Sequence, residues 1–422
     1  MSKKLNLVDL FAGCGGLSLG LENAGFSPIF VNELNNDALE SYLINRETKY
    51  PLLRDKRFHI NNVKDLVTEK NRISQLSKDF LVEHNIDINN GDIDLLVGGP
   101  PCQGFSGIGH RRSYSVDKKQ LPSNHLFEDM AWIISQLKPK IFLFENVRGL
   151  LSARWDKNSE KGGIWKDVLS TFQSLKDYHI NYAEVRSMDY GVPQNRPRIL
   201  LVGVRDDINL SAWEKNPSDI GSIFLPHKSG NSPDLIDLLG DLIDPNYING
   251  GETTHYPVDP LNSIQEKLRT LPNGKVLSSG AQLDEHLYSN HSENVIAKFQ
   301  EMINNHGVIP VKYRTKKFSQ RLLPKTWSNN GPNITATSLP DDYVHFSQPR
   351  TLTVREWARL QGFPDWYKFA GKRTTGGIRR AGNPRDGIFD RELPKYTQIG
   401  NAVPVTLAEA IGNHFKKVLS AK

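Results

Sequence analysis

Short apolar runs alternate with amphipathic segments over the first two hundred residues of the chain. The run LNLVDLF at residues 5–11 ends at glycines, which is typical of a strand buried in a sheet, whereas GLSLGLENAGF after it has apolar residues at helical spacing. Further strands are predicted at PIFVNE, IDLLVGG, KIFLFENV, HINYAEVRS and PRILLVGVR, and further helices at NNDALESYLIN and HLFEDMAWIISQLKP. The alternation predicts an α/β fold: a mostly parallel, doubly wound sheet with helices on both faces.

The pattern changes after Arg205. Residues 206 to about 345 are rich in Asn, Pro, Ser, Gly and charged residues and have few long periodic segments. An amphipathic helix is predicted again at TVREWARLQGF, and a last one at VTLAEAIGNHFKKVL. We therefore predict one domain formed by residues 1–205 plus 345–422 and a smaller inserted domain at 206–344, as the length of 422 residues also favours two domains.

Composition narrows the class of protein. The two cysteines, Cys14 and Cys102, are too few for a disulfide framework or a four-cysteine zinc site, and the 12 histidines have no metal-binding spacing, so we expect no metal. The net charge of +6 favours an anionic partner only weakly. Since no apolar run approaches the length of a membrane span and the N-terminal segment lacks a signal-peptide layout, we expect a cytoplasmic location.

A glycine-rich loop follows the first predicted strand. Its residues are Phe11, Gly13, Cys14, Gly15 and Gly16. Glycines let the backbone approach a ligand, and the helix that follows offers free N–H groups. Glu33, at the end of the next strand, is placed to bind ribose hydroxyls. The loop alone fits a nicotinamide, flavin or adenosylmethionine site or a plain tight turn, although the spacing GxGGxxxG counts against a dinucleotide.

Cys102 lies in GGPPCQGFS, directly after the predicted strand IDLLV. In an α/β sheet, ligands bind at the carboxyl ends of the strands, so this loop is placed at an active-site edge. A free thiol has a pKa of about 8.5 and needs a cationic or dipolar neighbour to act as a thiolate at neutral pH. The alternative is a buried small hydrophobic residue, against which the polar loop argues. Cys14, in contrast, is expected to pack beneath the ligand.

Two further motifs end or begin predicted strands. Glu145 follows KIFLF, where burial raises a carboxyl pKa and suits a proton donor, although a helix-capping acid is an equally good interpretation. Arg196 and Arg198 come just before the predicted strand ILLVGV, and alternation places their side chains on the same side. Two arginines there can bind a phosphate or a base oxygen and can lower the pKa of a nearby thiol. The alternative is that they lie at a solvated strand edge. The segment QIGNAVP by itself indicates only a turn with a proline near the start of a helix.

Taken together and in this order, these five motifs resemble the DNA cytosine-5 methyltransferase family over residues 5–205 and 345–422. The resemblance implies an adenosylmethionine-dependent methyltransferase fold, S-adenosyl-L-methionine as cofactor, and a target recognition domain at 206–344. The cofactor-binding residues that it implies are Phe11, Gly13, Cys14, Gly15, Gly16, Glu33, Leu34, Asn62, Val63, Pro101, Leu126, Asn401 and Val403. Two departures stand out: Asn62-Val63 replaces the family's Asp-Ile, and an extra stretch lies between Gly371 and Leu393.

The resemblance also implies the chemistry and the DNA contacts. The Cys102 thiolate would add to carbon 6 of a cytosine flipped out of double-stranded DNA, with Glu145 at N3 and the amino group and Arg198 near O2; Arg196 is grouped with these catalytic residues. Basic clusters near 312–327 and 372–385 fit phosphate and base contacts, and a solvated face is their alternative. The predicted DNA-binding residues are Gln103, Ser106, Lys312, Arg314, Lys316, Lys317, Arg379 and Arg380.

Three rival functions remain open at the level of sequence. The first is an RNA methyltransferase with the same chemistry that acts on a tRNA cytosine, although a large inserted domain favours duplex DNA as the substrate. A nicotinamide-dependent oxidoreductase accounts only for the glycine loop, and a catalytically silent DNA-binding protein does not account for Cys102 with Glu145. The expected setting is a bacterial restriction-modification system, with a monomeric, nucleoid-associated enzyme that protects host DNA and a genetic companion endonuclease.

Overall fold

The computed structural model describes residues 4–101, 122–156, 158–209, 224–228, 230–314, 320–328, 332–333, 342–375 and 392–420. Within these ranges, no helix is both long enough and apolar enough to cross a membrane.

Strands and helices alternate through the first half of the chain. The strands are β1 (Leu5–Leu10), β2 (Phe26–Asn32), β3 (His59–Ile60), β4 (Leu95–Gly98), β5 (Ile141–Val147), β6 (Tyr178–Arg186), β7 (Pro197–Arg205), β8 (Arg321–Leu322) and β9 (Tyr343–Val344). The α-helices are α1 (Gly16–Asn23), α2 (Asn36–Ile44), α3 (Lys64–Thr68), α4 (Arg72–His84), α5 (Leu126–Leu137), α6 (Gly163–Gln173), α7 (Leu235–Leu239), α8 (Ser263–Arg269), α9 (Glu293–Asn304), α10 (Val354–Leu360), α11 (Lys395–Asn401) and α12 (Val405–Ser420). Short 3-10 turns lie at Pro51–Arg54, Ile88–Asn90, Pro122–His125, Arg148–Ser152, Ser187–Tyr190, Gly240–Leu242 and Val311–Tyr313.

The main sheet has seven strands in the order β3-β2-β1-β4-β5-β7-β6. Neighbouring strands pair in parallel except β7, which runs antiparallel to both β5 and β6. The chain order reverses direction between β1 and β4, which is where open α/β sheets bind their ligands. The predicted α/β fold with a mostly parallel, doubly wound sheet is confirmed.

Each central strand contributes side chains to two separate cores. On one face, Val8, Leu96 and Phe142 pack with residues of α4, α5 and α6. On the other face, Leu7 and Leu95 pack with residues of α1 and α12. The apolar runs seen in the sequence are therefore strands buried on both sides, and α12 returns to the sheet after the inserted residues.

A third core joins the insertion to the segments that flank it. Leu235 and Leu268 of the insertion pack in one cluster with Leu19, Trp357 and Ile399 from the rest of the chain. The described part of the insertion therefore shares its core with the main domain, and the division at 206–344 stays a prediction. The two-stranded parallel sheet β8-β9 lies at the end of this segment.

Helix α10 differs from its sequence-based description as amphipathic. All of its residues are buried, including the charged Arg355, Glu356 and Arg359. The reason is that other buried groups meet these charges: Arg359 pairs with Asp241 of the insertion at 2.5 Å and with Asp365 at 2.6 Å. The polar side of this helix is thus an internal contact between the two parts of the chain.

Candidate active site

The ends of four strands meet at one edge of the sheet. Leu10 of β1 pairs with Gly98 of β4, and Gly98 in turn pairs with Phe144 of β5. Because β7 is antiparallel, its first residues pair with the last residues of β5, and Val147 lies opposite Arg198. The glycine loop, the loop before Cys102, Glu145 and the Arg196–Arg198 segment therefore lie at the same edge.

The glycine loop is held by the carboxylate of the next strand. Gly13 N–H donates to one oxygen of Glu33 at 2.8 Å, and Asn35 N–H donates to the other oxygen at 2.8 Å. Burial raises the pKa of the Glu33 carboxyl, and the two N–H bonds act in the opposite direction. Phe11, Gly13 and Gly15 all have positive φ, so the loop turns through a backbone conformation that favours glycine.

The loop is open on one side and filled on the other. A Cβ atom added at Gly13 would meet no atom within 4 Å, whereas one at Gly15 would lie 2.7 Å from the guanidinium of Arg46. A Cβ at Gly16 would lie 2.6 Å from the carbonyl oxygen of Val403, so the last segment of the chain covers this side of the loop. The space beside Gly13 is the part of the loop that a ligand can approach.

A carboxylate and an exposed apolar side chain stand side by side at the end of β2. Glu33 is the acid, and the neighbouring Leu34 is 72% exposed. A large apolar residue so exposed beside a buried acid suits a nucleoside, with the sugar hydroxyls at the acid and the flat base on the leucine. The residues present therefore fit an adenosine-containing cofactor.

The segment after β3 supports this corner through a residue that sequence reasoning missed. The Asn61 amide donates to the carbonyl oxygens of Glu33 at 3.1 Å and Leu34 at 3.4 Å. Asn62, predicted to bind the cofactor, is exposed, and its side-chain oxygen accepts from Lys64 N–H at 3.2 Å. Val63 is buried in the core. Only adjacency to Asn62 marks Asn61 in the sequence.

Several buried side chains lie beneath the loop. The Ser18 hydroxyl donates to Asp9 of β1 at 2.5 Å and lies 2.9 Å from the Tyr42 hydroxyl. Burial raises the pKa of Asp9 to about 7. Cys14 is fully buried with its sulfur 3.5 Å from the carbonyl oxygen of Gln398, and burial raises its pKa to about 12. A thiol in that environment is not a nucleophile.

Glu145 and Arg198 form an ion pair at the centre of the edge. Arg198 Nε lies 2.7 Å from Glu145 Oε1, and the side chains are 9% and 12% exposed. Burial lowers the pKa of Arg198, and the charge of Glu145 opposes that effect. A Cβ at Gly99 would lie 3.0 Å from the other Glu145 oxygen, so the loop after β4 passes directly over the carboxylate.

Arg196 is directed to a different part of the site. Its guanidinium donates to the carbonyl oxygens of Gly400 at 2.7 Å and Ala402 at 3.3 Å. It lies just before β7, and burial and the charge of Arg198 lower its pKa. The structure thus places Arg196 on the chain segment that covers the glycine loop, while Arg198 contacts Glu145.

That covering segment is more regular than its sequence indicates. Residues Gln398–Asn401 form the end of helix α11 rather than only a turn, because Tyr396 and Ile399 are buried in the third core. Asn401 is exposed, while Val403 is buried against the loop. The side chain of Gln398, which sequence reasoning missed, accepts from the Ser41 hydroxyl at 2.7 Å.

The segments on either side of Cys102 are partly described. Asn146 donates to the Pro100 carbonyl oxygen at 3.0 Å, which ties the loop after β4 to the end of β5. Pro101 is exposed, and Leu126 is partly buried at the start of α5. Cys102, Gln103 and Ser106 lie outside the described residues.

The predicted DNA-binding residues are described only in part. Lys312 is exposed and pairs with Glu301 at 2.6 Å, and Arg314 donates to the Ile309 carbonyl oxygen at 3.1 Å. Arg314 and Arg321 contribute to the lining of an open cavity of about 710 Å³. Lys316, Lys317, Arg379 and Arg380 lie outside the described residues.

Comparison with known proteins gives a consistent result over the whole chain. The model of the family described as C-5 cytosine-specific DNA methylase matches residues 5–417. The Type II methyltransferase M.DdeI of Desulfomicrobium norvegicum is 30% identical over 427 residues, which covers 96% of this chain and 87% of that protein. The Type II methyltransferase M1.HphI of Haemophilus parahaemolyticus is 28% identical over 417 residues and covers 98% and 87%.

A solved structure shares the fold. It is that of a prophage-encoded E. coli protein assigned as a DNA modification methyltransferase. The TM-score is 0.64 at 24% identity, over 99% of this chain and 100% of that one.

Proposed function

Because the chain belongs to the C-5 cytosine-specific DNA methylase family and is thus a DNA cytosine-5 methyltransferase, we propose that it uses S-adenosyl-L-methionine and a covalent Cys102 adduct with a flipped cytosine. The observation that carries the proposal is the Glu145–Arg198 ion pair beneath the loop that leads into Cys102. A carboxylate next to a guanidinium suits the N3, amino group and O2 of a cytosine ring, which supports the roles that we propose for Glu145 and Arg198.

The cofactor would lie along the glycine loop. Gly13 leaves room for it, Glu33 offers its carboxylate to the ribose, and Leu34 offers an apolar surface to the adenine. Bound S-adenosyl-L-methionine supplies an electrophilic methyl group. Arg196 and Val403 hold the covering segment against the loop, so that Asn401 lies close to the ligand.

The protein's own groups make carbon 5 reactive. Cytosine carbon 5 is a poor nucleophile, and addition of the Cys102 thiolate to carbon 6 forms a C–S bond and moves electron density to carbon 5. Carbon 5 then takes the methyl group, a base removes its proton, and the thiolate leaves as the 5,6 double bond re-forms. Glu145 holds N3 and the amino group during this sequence, and Arg198 fixes Glu145 and adds a positive charge near O2.

The base must leave the helical stack for this chemistry, because neither face of carbon 6 is accessible within duplex DNA. The insertion is the proposed reader of the flanking sequence. Its Arg314 and Arg321 line an open cavity, and its Lys312 is exposed. Since the relatives are named Type II methyltransferases, we further propose a restriction-modification setting, with a monomeric enzyme and a companion endonuclease that is a genetic rather than a physical partner.

The test is covalent trapping. Bisulfite sequencing of DNA from cells that express the protein first identifies the modified sequence. A duplex of that sequence with 5-fluorocytosine at the target should then form a stable complex with the wild-type protein and cofactor, because fluorine cannot leave as a proton does.

The matched control uses the two cysteines. Cys102→Ala should form no complex, whereas Cys14→Ala should still form one, since Cys14 is buried beneath the loop. Trapping by the Cys102→Ala variant would rule out the mechanism, and methylation of a tRNA transcript in preference to the duplex would rule out the DNA substrate.

A further inference from the structure

We propose that Tyr367 and Arg46 are positioning residues that hold two consecutive carbonyl groups of the glycine loop and so set the cofactor affinity. The inference rests on the proposed use of S-adenosyl-L-methionine. Arg46 lies just after α2 and Tyr367 lies after α10, so the two side chains come from distant parts of the chain and meet beneath the loop.

The contacts form a closed set. The Tyr367 hydroxyl donates to the Cys14 carbonyl oxygen at 2.5 Å, and Arg46 Nη2 donates to the Gly15 carbonyl oxygen at 3.1 Å. Arg46 Nη1 donates to the Tyr367 hydroxyl oxygen at 2.9 Å. The Cys14 carbonyl oxygen thus accepts from the Tyr367 hydroxyl, and the Gly15 carbonyl oxygen accepts from Arg46 as well as from the Leu19 N–H of α1 at 2.9 Å. Tyr367 and Arg46 are also hydrogen-bonded to each other.

Arg46 is itself held rigidly. Its Nε lies 2.7 Å from Glu22 Oε1, its Nη1 also donates to the Tyr42 carbonyl oxygen at 2.9 Å, and its guanidinium lies 3.8 Å from the centre of the Tyr42 ring. The side chain is 1% exposed. A buried guanidinium is tolerated only when its charge and its N–H groups are met, so this arrangement permits little other orientation.

Fixing a carbonyl group also fixes the amide that follows it. In a planar trans peptide the C=O and the next N–H point in opposite directions. With the Gly15 carbonyl turned to Arg46 and to the Leu19 N–H, the Gly16 N–H at the start of α1 points away from both of these donors. The first N–H groups of a helix have no partner within the helix and attract electron-rich ligand atoms.

The same set explains why residue 15 is a glycine. A Cβ atom there would lie 2.7 Å from Arg46 Nη1 and 2.8 Å from the Tyr367 hydroxyl oxygen. Gly15 also has φ of 86°, a conformation that side chains rarely adopt. Its neighbour Gly13 faces open space, so the two glycines serve different partners: one the ligand, the other the positioning pair.

The test removes one hydroxyl and keeps its ring. Tyr367→Phe loses the bonds to Cys14 and Arg46, while the ring still packs on Phe363 and Phe369. Tyr396→Phe is the matched control, because Tyr396 is equally buried in the same core and its hydroxyl donates to the Leu352 carbonyl oxygen at 2.8 Å, away from the loop. Calorimetric titration of the full-length protein with S-adenosyl-L-methionine gives Kd, and steady-state kinetics give kcat and the KM for DNA.

We expect Tyr367→Phe to raise the cofactor Kd about tenfold, since hydrogen bonds contribute roughly 1 kcal/mol each, with kcat at saturating cofactor and the KM for DNA changed little. Tyr396→Phe should leave Kd within about twofold at a similar loss of melting temperature. Arg46→Lys keeps a positive charge for Glu22 but cannot reach both the Gly15 carbonyl oxygen and the Tyr367 hydroxyl oxygen. This variant should weaken cofactor binding in the same way.

Equal Kd values for the wild type and Tyr367→Phe, or equal weakening by Tyr396→Phe, would overturn the inference. The same would follow if Tyr367→Phe fails to fold and Arg46→Lys binds the cofactor normally. Absence of binding by the wild-type protein would instead overturn the proposed cofactor, so the two failures are distinguishable.

Discussion

Glu145 was predicted as a site residue from its place after a continuous apolar run, but the sequence did not show that it pairs with Arg198. The ion pair with Arg198 arises because β7 runs antiparallel beside β5, which brings the start of one strand to the end of the other. That pairing depends on the register of strands far apart in the chain. Residue types and spacing thus indicate candidate site residues, and the pairing of the strands determines which of them are in contact.

The role of Glu145 can be separated from cofactor binding. Glu145→Gln keeps the size of the side chain but leaves the buried Arg198 without a charged partner and removes the carboxylate proposed to hold the base. We expect kcat to fall by a factor of about 10² or more, as for loss of a positioned acid or base, with the cofactor Kd nearly unchanged.

The control for this substitution is Glu184→Gln on β6, which β7 separates from the strand of Glu145. The Glu184 acid is partly exposed and pairs with Arg148 at the surface. That variant should retain wild-type turnover. Loss of cofactor affinity in Glu145→Gln equal to its loss of turnover would show that the residue does not act on the base.

Among the elements, α10 shows where sequence periodicity reaches its limit. The start of the helix was predicted well, and Thr353 with Glu356 forms a capping box there. Its charged residues indicated a solvated face, but Arg359 reaches Asp241 and Asp365, and Arg269 reaches Asp241 at 2.6 Å. A charge on a helix gives no sign of a buried counter-charge more than a hundred residues away in the chain.

This buried cluster of Asp241, Arg269, Arg359 and Asp365 should dominate the stability of the contact between residues 206–344 and the rest of the chain. Asp241→Asn leaves two buried arginines facing a neutral amide, and breaking a buried pair in this way costs about 3–5 kcal/mol. Urea unfolding of the purified protein should show a loss of that size. The control is Asp237→Asn, at an exposed position on α7, which should change the free energy of unfolding by less than about 0.5 kcal/mol. Equal effects of the two variants would contradict the role proposed for the cluster.

At the scale of the whole molecule, the sheet and its two covering layers follow from the sequence because buried strands and helices have different periods. The arrangement of the third core does not, since it joins Leu19, Leu235 and Trp357 from three separate stretches. For the same reason, Arg46 and Tyr367 carry no local signal: they lie 321 positions apart. The sequence indicates the order of the motifs well. It does not indicate which side chains hold the motifs in place through contacts from distant parts of the chain.

The positive charge of the molecule is concentrated in part in the extra stretch between Gly371 and Leu393, where it could meet DNA phosphates. Its basic residues include Arg379 and Arg380, and if they meet phosphates, replacing both with Ala should weaken duplex binding and lower the salt dependence by up to about two units of slope, at about 0.9 per contact. The preferred sequence should stay the same, because phosphate contacts position a protein without reading bases. Arg54→Ala with Arg57→Ala removes the same charge from exposed ion pairs elsewhere and controls for a general effect of net charge. The measurement is a set of binding titrations at several salt concentrations, on the cognate duplex and on single-mismatch duplexes. Relaxed specificity at one base pair would mean that the stretch reads a base. An unchanged slope with unchanged specificity would mean that the stretch is not part of the DNA interface.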